Sequence, residues 1–191
     1  MKIMNVVWPV TALYMGPIGL YSYWKIGRIK SKKIMKKENA PERAFYQKVI
    51  ISDSHCGAGC TLGDIIGESI VFALGISVVG LTIFANYTFD YIFAFTLGIL
   101  FQFFAVMPLN KDLTPNQGLI KALKADTLSL TSFEIGLFGW MALMIFVFFK
   151  PPLEAIDPLY WFMMQIGMSL GFITSYPVNW YLVKKGIKES M

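Results

Sequence analysis

The sequence predicts an all-α, polytopic membrane helix bundle of five transmembrane helices, with the N-terminus outside and the C-terminus cytoplasmic. Three observations predict it. The 191 residues are 55% hydrophobic and only 15% charged, with a mean hydropathy of +0.55, too little charge to coat a soluble domain of this size. Five apolar segments, 3–24, 61–85, 89–109, 128–149 and 159–182, reach the roughly 20 residues that a helix needs to cross a bilayer. Fifteen of the seventeen Lys and Arg fall in the three regions that five spans place on one side, which makes that side cytoplasmic.

Each element follows in chain order. The run "IMNVVWPVTALYMGPIGLYSYW" is too long for a signal-peptide core and no small-residue cleavage site follows it, so residues 1–25 read as a retained first helix. Residues 26–60 read as a basic cytoplasmic loop, and "KIGRIKSKKIMKK" is suited to anionic headgroups. Residues 61–191 read as a four-helix bundle. "NYT" forms a tight turn between the second and third spans. Before the fourth span, Thr114 can cap and Pro115 can take the first helical position. "KPPLEAIDP" separates the fourth and fifth spans, and its prolines stop both helices. The net charge of +5 is then a topology signal, and no recognition motif supports nucleic-acid binding.

The chemistry concentrates in "SHCGAGCTLGDIIGE", residues 54–68, which holds the single histidine and both cysteines. A cytoplasmic location is reducing, so a structural disulfide is not expected. His55, Cys56 and Cys60 are candidate ligands for Cu(I) or Zn(II), with Asp64 as a fourth donor for zinc. Cys56, Cys60, Asp64 and Glu68 repeat every four residues, one slowly drifting stripe of a helix. The bland alternatives are two packed thiols and two carboxylates at headgroup level. Glu134, Gln102, Ser175 and Asn179 place further polar groups at the same expected depth, and Met107 and Met168 are possible soft ligands. Intramembrane carboxylates are costly and normally face a bundle interior or a polar path. A second stripe, Gly59, Gly63, Gly67 and Gly75, predicts close packing of the second span on the fifth through Gly167, Gly171 and Ser175.

No phosphate loop, dinucleotide fingerprint or haem-attachment motif is present, so no nucleotide and no haem are expected, and nothing specifies an enzyme. The motif "SHCGAGCTLGDIIGE" together with "GFITSYPVNWYLVKKGIKESM" resembles a widespread bacterial and archaeal membrane protein family labelled only as a domain of unknown function. The resemblance covers residues 45–191 and implies a helical membrane fold. It also implies a weak link to copper or heavy-metal handling, since some relatives carry one. Three functions stay open: transition-metal binding or transport with copper or zinc, an accessory subunit of a larger membrane complex, and a small proton-coupled transporter using Asp64, Glu68 and Glu134. The expected surroundings are the plasma membrane's lipid bilayer, with other membrane subunits or a second copy of the chain as partners.

Overall fold

The computed structural model describes residues 3–30, 43–78, 81–108, 110 and 113–188. Helices account for nearly all of them: α1 (Met4–Met15), α2 (Pro17–Lys25), α3 (Phe45–Leu74), α4 (Thr82–Val106), α5 (Pro115–Leu143) and α6 (Pro158–Lys184). A 3₁₀ turn, Gly27–Lys30, follows α2, and a π-helical turn, Met144–Phe148, extends α5. Among the described residues there is no strand, only a single bridge between Val78 and Leu81. Three helices are long and apolar enough to cross a membrane: α3, α4 and α5 with its π turn. The bundle's outer surface is apolar, with Phe72, Ile92, Ile135 and Phe162 all more than half exposed, a surface suited to lipid contact.

The first apolar segment is not one spanning helix. Gly16 adopts φ 55°, ψ −130°, a conformation open to glycine, and Pro17 starts a new helix. The chain reverses there. A Cβ on Gly19 would lie 2.9 Å from the Cα of Ala12, and one on Gly27 would meet the Trp8 ring at 2.5 Å. α1 and α2 therefore form a hairpin, with Trp8, Ile26 and Ile51 in one buried cluster. Their 12 and 9 residues give about 18 and 14 Å, each well short of a hydrocarbon core about 30 Å thick. The hairpin enters beside α3 and returns to the level it left.

The expected loop 26–60 is also shorter than predicted. α3 starts at Phe45, with the Gln47 side chain accepting the Ala44 backbone N–H at 3.1 Å, and it ends at Gly75, which is left-handed at φ 61°. Hydropathy alone places the start later, because the first turns of α3 carry polar residues that point inward. α5 begins as expected: Thr114 Oγ1 accepts from Gln117 N–H at 3.4 Å and Pro115 holds the first helical position.

The glycine stripe is a packing face, but its partner differs from the expected one. Gly59, Gly63 and Gly67 meet α4: a Cβ on Gly59 would stand 2.6 Å from Gly98 Cα, and one on Gly67 would stand 2.8 Å from Asp90 N. Gly167 and Gly171 instead meet Leu137 and Phe133 of α5. α4 follows α3 through a short connection, so the antiparallel neighbour takes the small face. Without a hydrophobic driving force between helices in lipid, such close backbone contact and buried hydrogen bonds hold the bundle together.

Candidate functional site

The interior of the bundle is polar along much of α3. From Asp53 to Glu68 the helix rises about 22 Å. Over that length Asp53, His55, Cys56, Cys60, Asp64 and Glu68 are all at most 2% exposed. The sequence analysis expects polar groups at one depth. The structure spreads them along a column, because α3 supplies an inward residue at each turn.

At the Gly75 end, Glu68 is held by two donors. The Tyr160 hydroxyl donates to Glu68 Oε1, and Asn86 Nδ2 donates to Glu68 Oε2 at 2.8 Å and to Tyr160 Oη at 3.2 Å. Asp90 sits against Gly67 beside this group, 2% exposed. A cavity of about 400 Å³ opens here, with Glu68, Asn86 and Tyr160 on its wall among apolar side chains such as Phe72 and Phe146. Its wall lies in the half of the bundle whose helices are otherwise rich in apolar residues. Asn86, Asp90 and Tyr160 make its interior polar.

In the middle lie Asp64 and Glu134, from α3 and α5, 0% and 1% exposed. Neither Asp64 oxygen has a hydrogen-bond partner, and no N–H or hydroxyl reaches Glu134, whose one neighbouring donor is a thiol. Asp64 is within electrostatic reach of Glu134, Asp90 and Glu68, and Glu134 faces the Cys60 thiol. The Tyr14 hydroxyl, from the hairpin, lies over Gly57 and is also unpartnered.

At the far end, six groups form a network. Ser175 Oγ and Asn179 Nδ2 donate to Asp53 Oδ1 at 2.6 and 2.7 Å, and Asn179 Nδ2 also donates to Ser129 Oγ at 2.7 Å. Lys188 Nζ donates to Asp126 Oδ1 at 2.7 Å, Asn179 Oδ1 at 2.8 Å and Ser129 Oγ at 3.4 Å. The Lys188–Asp126 ion pair is shielded, with side chains 0% and 1% exposed. Burial pulls the Lys188 ammonium down, but Asp126 beside it, with Cys56 and Asp53 further off, pushes it above its ordinary range. Lys188 is thus no surface charge of a basic tail.

The predicted ligands are not gathered around one point. Among the described residues no group of three His, Cys, Asp or Glu side chains is placed to hold a metal ion. Cys56 and Cys60 are free thiols one helical turn apart. His55 turns away, its Nε2 2.9 Å from Met4 Sδ on the hairpin, with Nδ1 unpartnered. Gln102 is buried with both amide atoms unpartnered, while Ser175 and Asn179 join Asp53. Met168 packs in the core cluster that contains both cysteines, and Met107 packs over Gly118.

The sequence model of one family matches residues 45–188, from the first residue of α3 to the buried lysine, and it is described only as a domain of unknown function (DUF4396). The chain belongs to the DUF4396 family. The DUF4396 domain therefore comprises the four long helices and the Lys188 network, and the α1–α2 hairpin stands outside it. No curated protein and no solved structure matches the chain.

Proposed function

We propose that this DUF4396 chain carries protons between the two faces of a bilayer along Glu68, Asp90, Asp64 and Glu134. In this reading α3, α4, α5 and α6 each cross the plasma membrane, and both termini lie on the basic, cytoplasmic side. The observation that carries it is the pair Asp64 and Glu134. Two buried carboxyl groups from different helices lack any N–H or hydroxyl donor, and only the Cys60 thiol stands against Glu134. A bare carboxylate in such surroundings is strongly disfavoured, so the group takes up a proton or a cation. Among the described residues, six buried acids (Asp53, Asp64, Glu68, Asp90, Asp126 and Glu134) face a single buried lysine. Protons are the counter-charge that needs no ligand cage. The cavity beside Glu68 gives entry at one end, and Tyr14 and Cys60 lie between Glu134 and Asp53 at the other.

The test is proton movement into liposomes that hold the purified protein and a trapped pH dye, driven by a potassium diffusion potential. The wild type acidifies the interior. Asp64→Asn/Glu134→Gln falls to the leak of empty liposomes. Equal rates in both sink the proposal and leave four acids that serve packing alone.

A second reading rests on the thiols. Cys56 and Cys60 share one helix face at a spacing that suits two-coordinate Cu(I), which wants soft donors and few of them. Elemental analysis of protein purified anaerobically under reducing conditions decides it. About one equivalent of copper, lost in Cys56→Ser/Cys60→Ser, supports a metal-handling role, and its absence from both removes that role.

A further inference from the structure

The end of the column beyond Asp53 is chemically unlike the rest, because it already contains a cation. Lys188 Nζ has three N–H groups and finds three acceptors: a carboxylate, an amide oxygen and a hydroxyl. The acceptors come from α5 and α6, and their orientation is fixed from behind. Asn179 turns its Oδ1 to the ammonium because its Nδ2 is committed to Asp53 and Ser129. Two acids stand around one lysine, and each keeps one buried oxygen without a partner, Asp53 Oδ2 and Asp126 Oδ2.

The lysine is held differently from its site. It lies beyond the end of α6, after Gly186 at φ 70°, on a tail turned back over the helix terminus. Among the described residues, three backbone bonds anchor the tail after Lys185. Gly186 N–H donates to Val183 O at 3.1 Å, and the N–H groups of Ile187 and Lys188 donate to Leu182 O at 3.0 and 3.2 Å. The receptor is thus built on three long helices, with Asp53 of α3 behind the acceptors of α5 and α6, while the cation arrives on a short arm with a glycine at its base.

We propose that Asp53, Asp126, Ser129 and Asn179 form a binding site for a primary ammonium ion, that the chain's own Lys188 is its resident ligand, and that the tail is a plug which closes the column when seated. The closing role rests on the proton-path reading. The binding site does not, since it is defined by the three acceptors around Nζ and by Asp53, which orients Asn179 from behind. A staple that merely ties the C-terminus to α5 makes a different demand: it needs the covalent arm. An ammonium site needs only the head group.

Lys188→Ala separates the two. It removes the ammonium and its stem and leaves the acceptors in place. The thermal midpoint of the variant in mild detergent falls below wild type. Added ethylammonium chloride raises it again, saturably, whereas tetramethylammonium chloride at equal ionic strength does not, because that ion has no N–H to donate. Asp126→Asn in the same background abolishes the ethylammonium effect. If Lys188→Ala does not survive extraction, recovery of folded protein only when ethylammonium is present throughout extraction is the same result. Equal responses to the two salts, or no response to either, overturn the site. In liposomes, Lys188→Ala passes protons faster than wild type and ethylammonium slows it. Rescue of stability without any proton movement keeps the site and removes the proton path, while proton movement without rescue does the reverse.

Discussion

Gly63→Ala is the sharpest probe of the packing that positions the column. A methyl group at Gly63 would lie 2.6 Å from the carbonyl carbon of Phe93 and closer still to the N and Cα of Ala94. All three are backbone atoms of α4, so no side chain can swing aside. To reach ordinary contact near 3.5 Å, α3 and α4 must part by about 1 Å. A gap of that size forfeits up to half of each contact's attraction. With about thirty atom pairs along the seam at about 0.15 kcal/mol each, the loss is about 2 kcal/mol. That lies within the ~1–3 kcal/mol typical of overpacking. It translates to a fall in thermal midpoint of about 4–8 °C for a chain of this length. The control is Gly139→Ala, where a Cβ meets nothing within 4 Å. There the substitution gains up to about 1 kcal/mol of helix propensity. Melting both variants in mild detergent, followed by tryptophan fluorescence, gives the answer. If Gly63→Ala melts at or above the wild type, the seam is not close-packed and the helix pairing is wrong.

Four further outcomes are expected. Lys188→Met and Asp126→Leu each destabilise by about 3–5 kcal/mol because each leaves one buried charge alone, and the double variant recovers most of that in a melting series. With its raised folded value, the Lys188 ammonium stabilises fully below its unfolded pKa of about 10.4 and loses that contribution only as pH climbs through the folded value. The wild-type melting temperature therefore drops at strongly alkaline pH by more than that of Lys188→Met. Tyr160→Phe removes one of the two donors to Glu68 and costs about 1.5–3 kcal/mol by the same assay; no change would mean that Glu68 is not held as described. Cys56 and Cys60, 1% and 0% exposed, stay unmodified by a maleimide in mild detergent and react once SDS is added, as mass spectrometry will read.

The long helices were legible because an apolar run of spanning length has few alternatives. The break at Gly16–Pro17 was not, although both residues are helix-enders, because the apolar residues on its two sides read as one continuous segment. Asp53, Asp126 and Lys188 each flank a span and look like solvated charges. Only the fold reveals that the tail brings Lys188 back between α5 and α6. Asp90 is different: a carboxylate two residues inside an apolar run carried its own signal. The glycine stripe marked a close contact but held no information about which helix would fill it. Cys56, Cys60, Asp64 and Glu68 do share a helix face, as their spacing implies. His55 lies about 100° around the helix from Cys56, and Met4 of the hairpin meets it there.

The hairpin also bears on how the protein is made. In the four-span arrangement proposed above, a segment that enters beside α3 and turns back does not itself cross the bilayer. The first helix to be threaded across in that arrangement is α3, which carries two thiols and several acids and offers an exposed surface on only part of its circumference. During synthesis that helix has an apolar companion already waiting, since Tyr14 and Val7 belong to the same buried clusters as Cys56 and Ala58. In that arrangement the two short helices act as a built-in insertion partner, shielding one flank of a costly helix until α4 arrives to take the other.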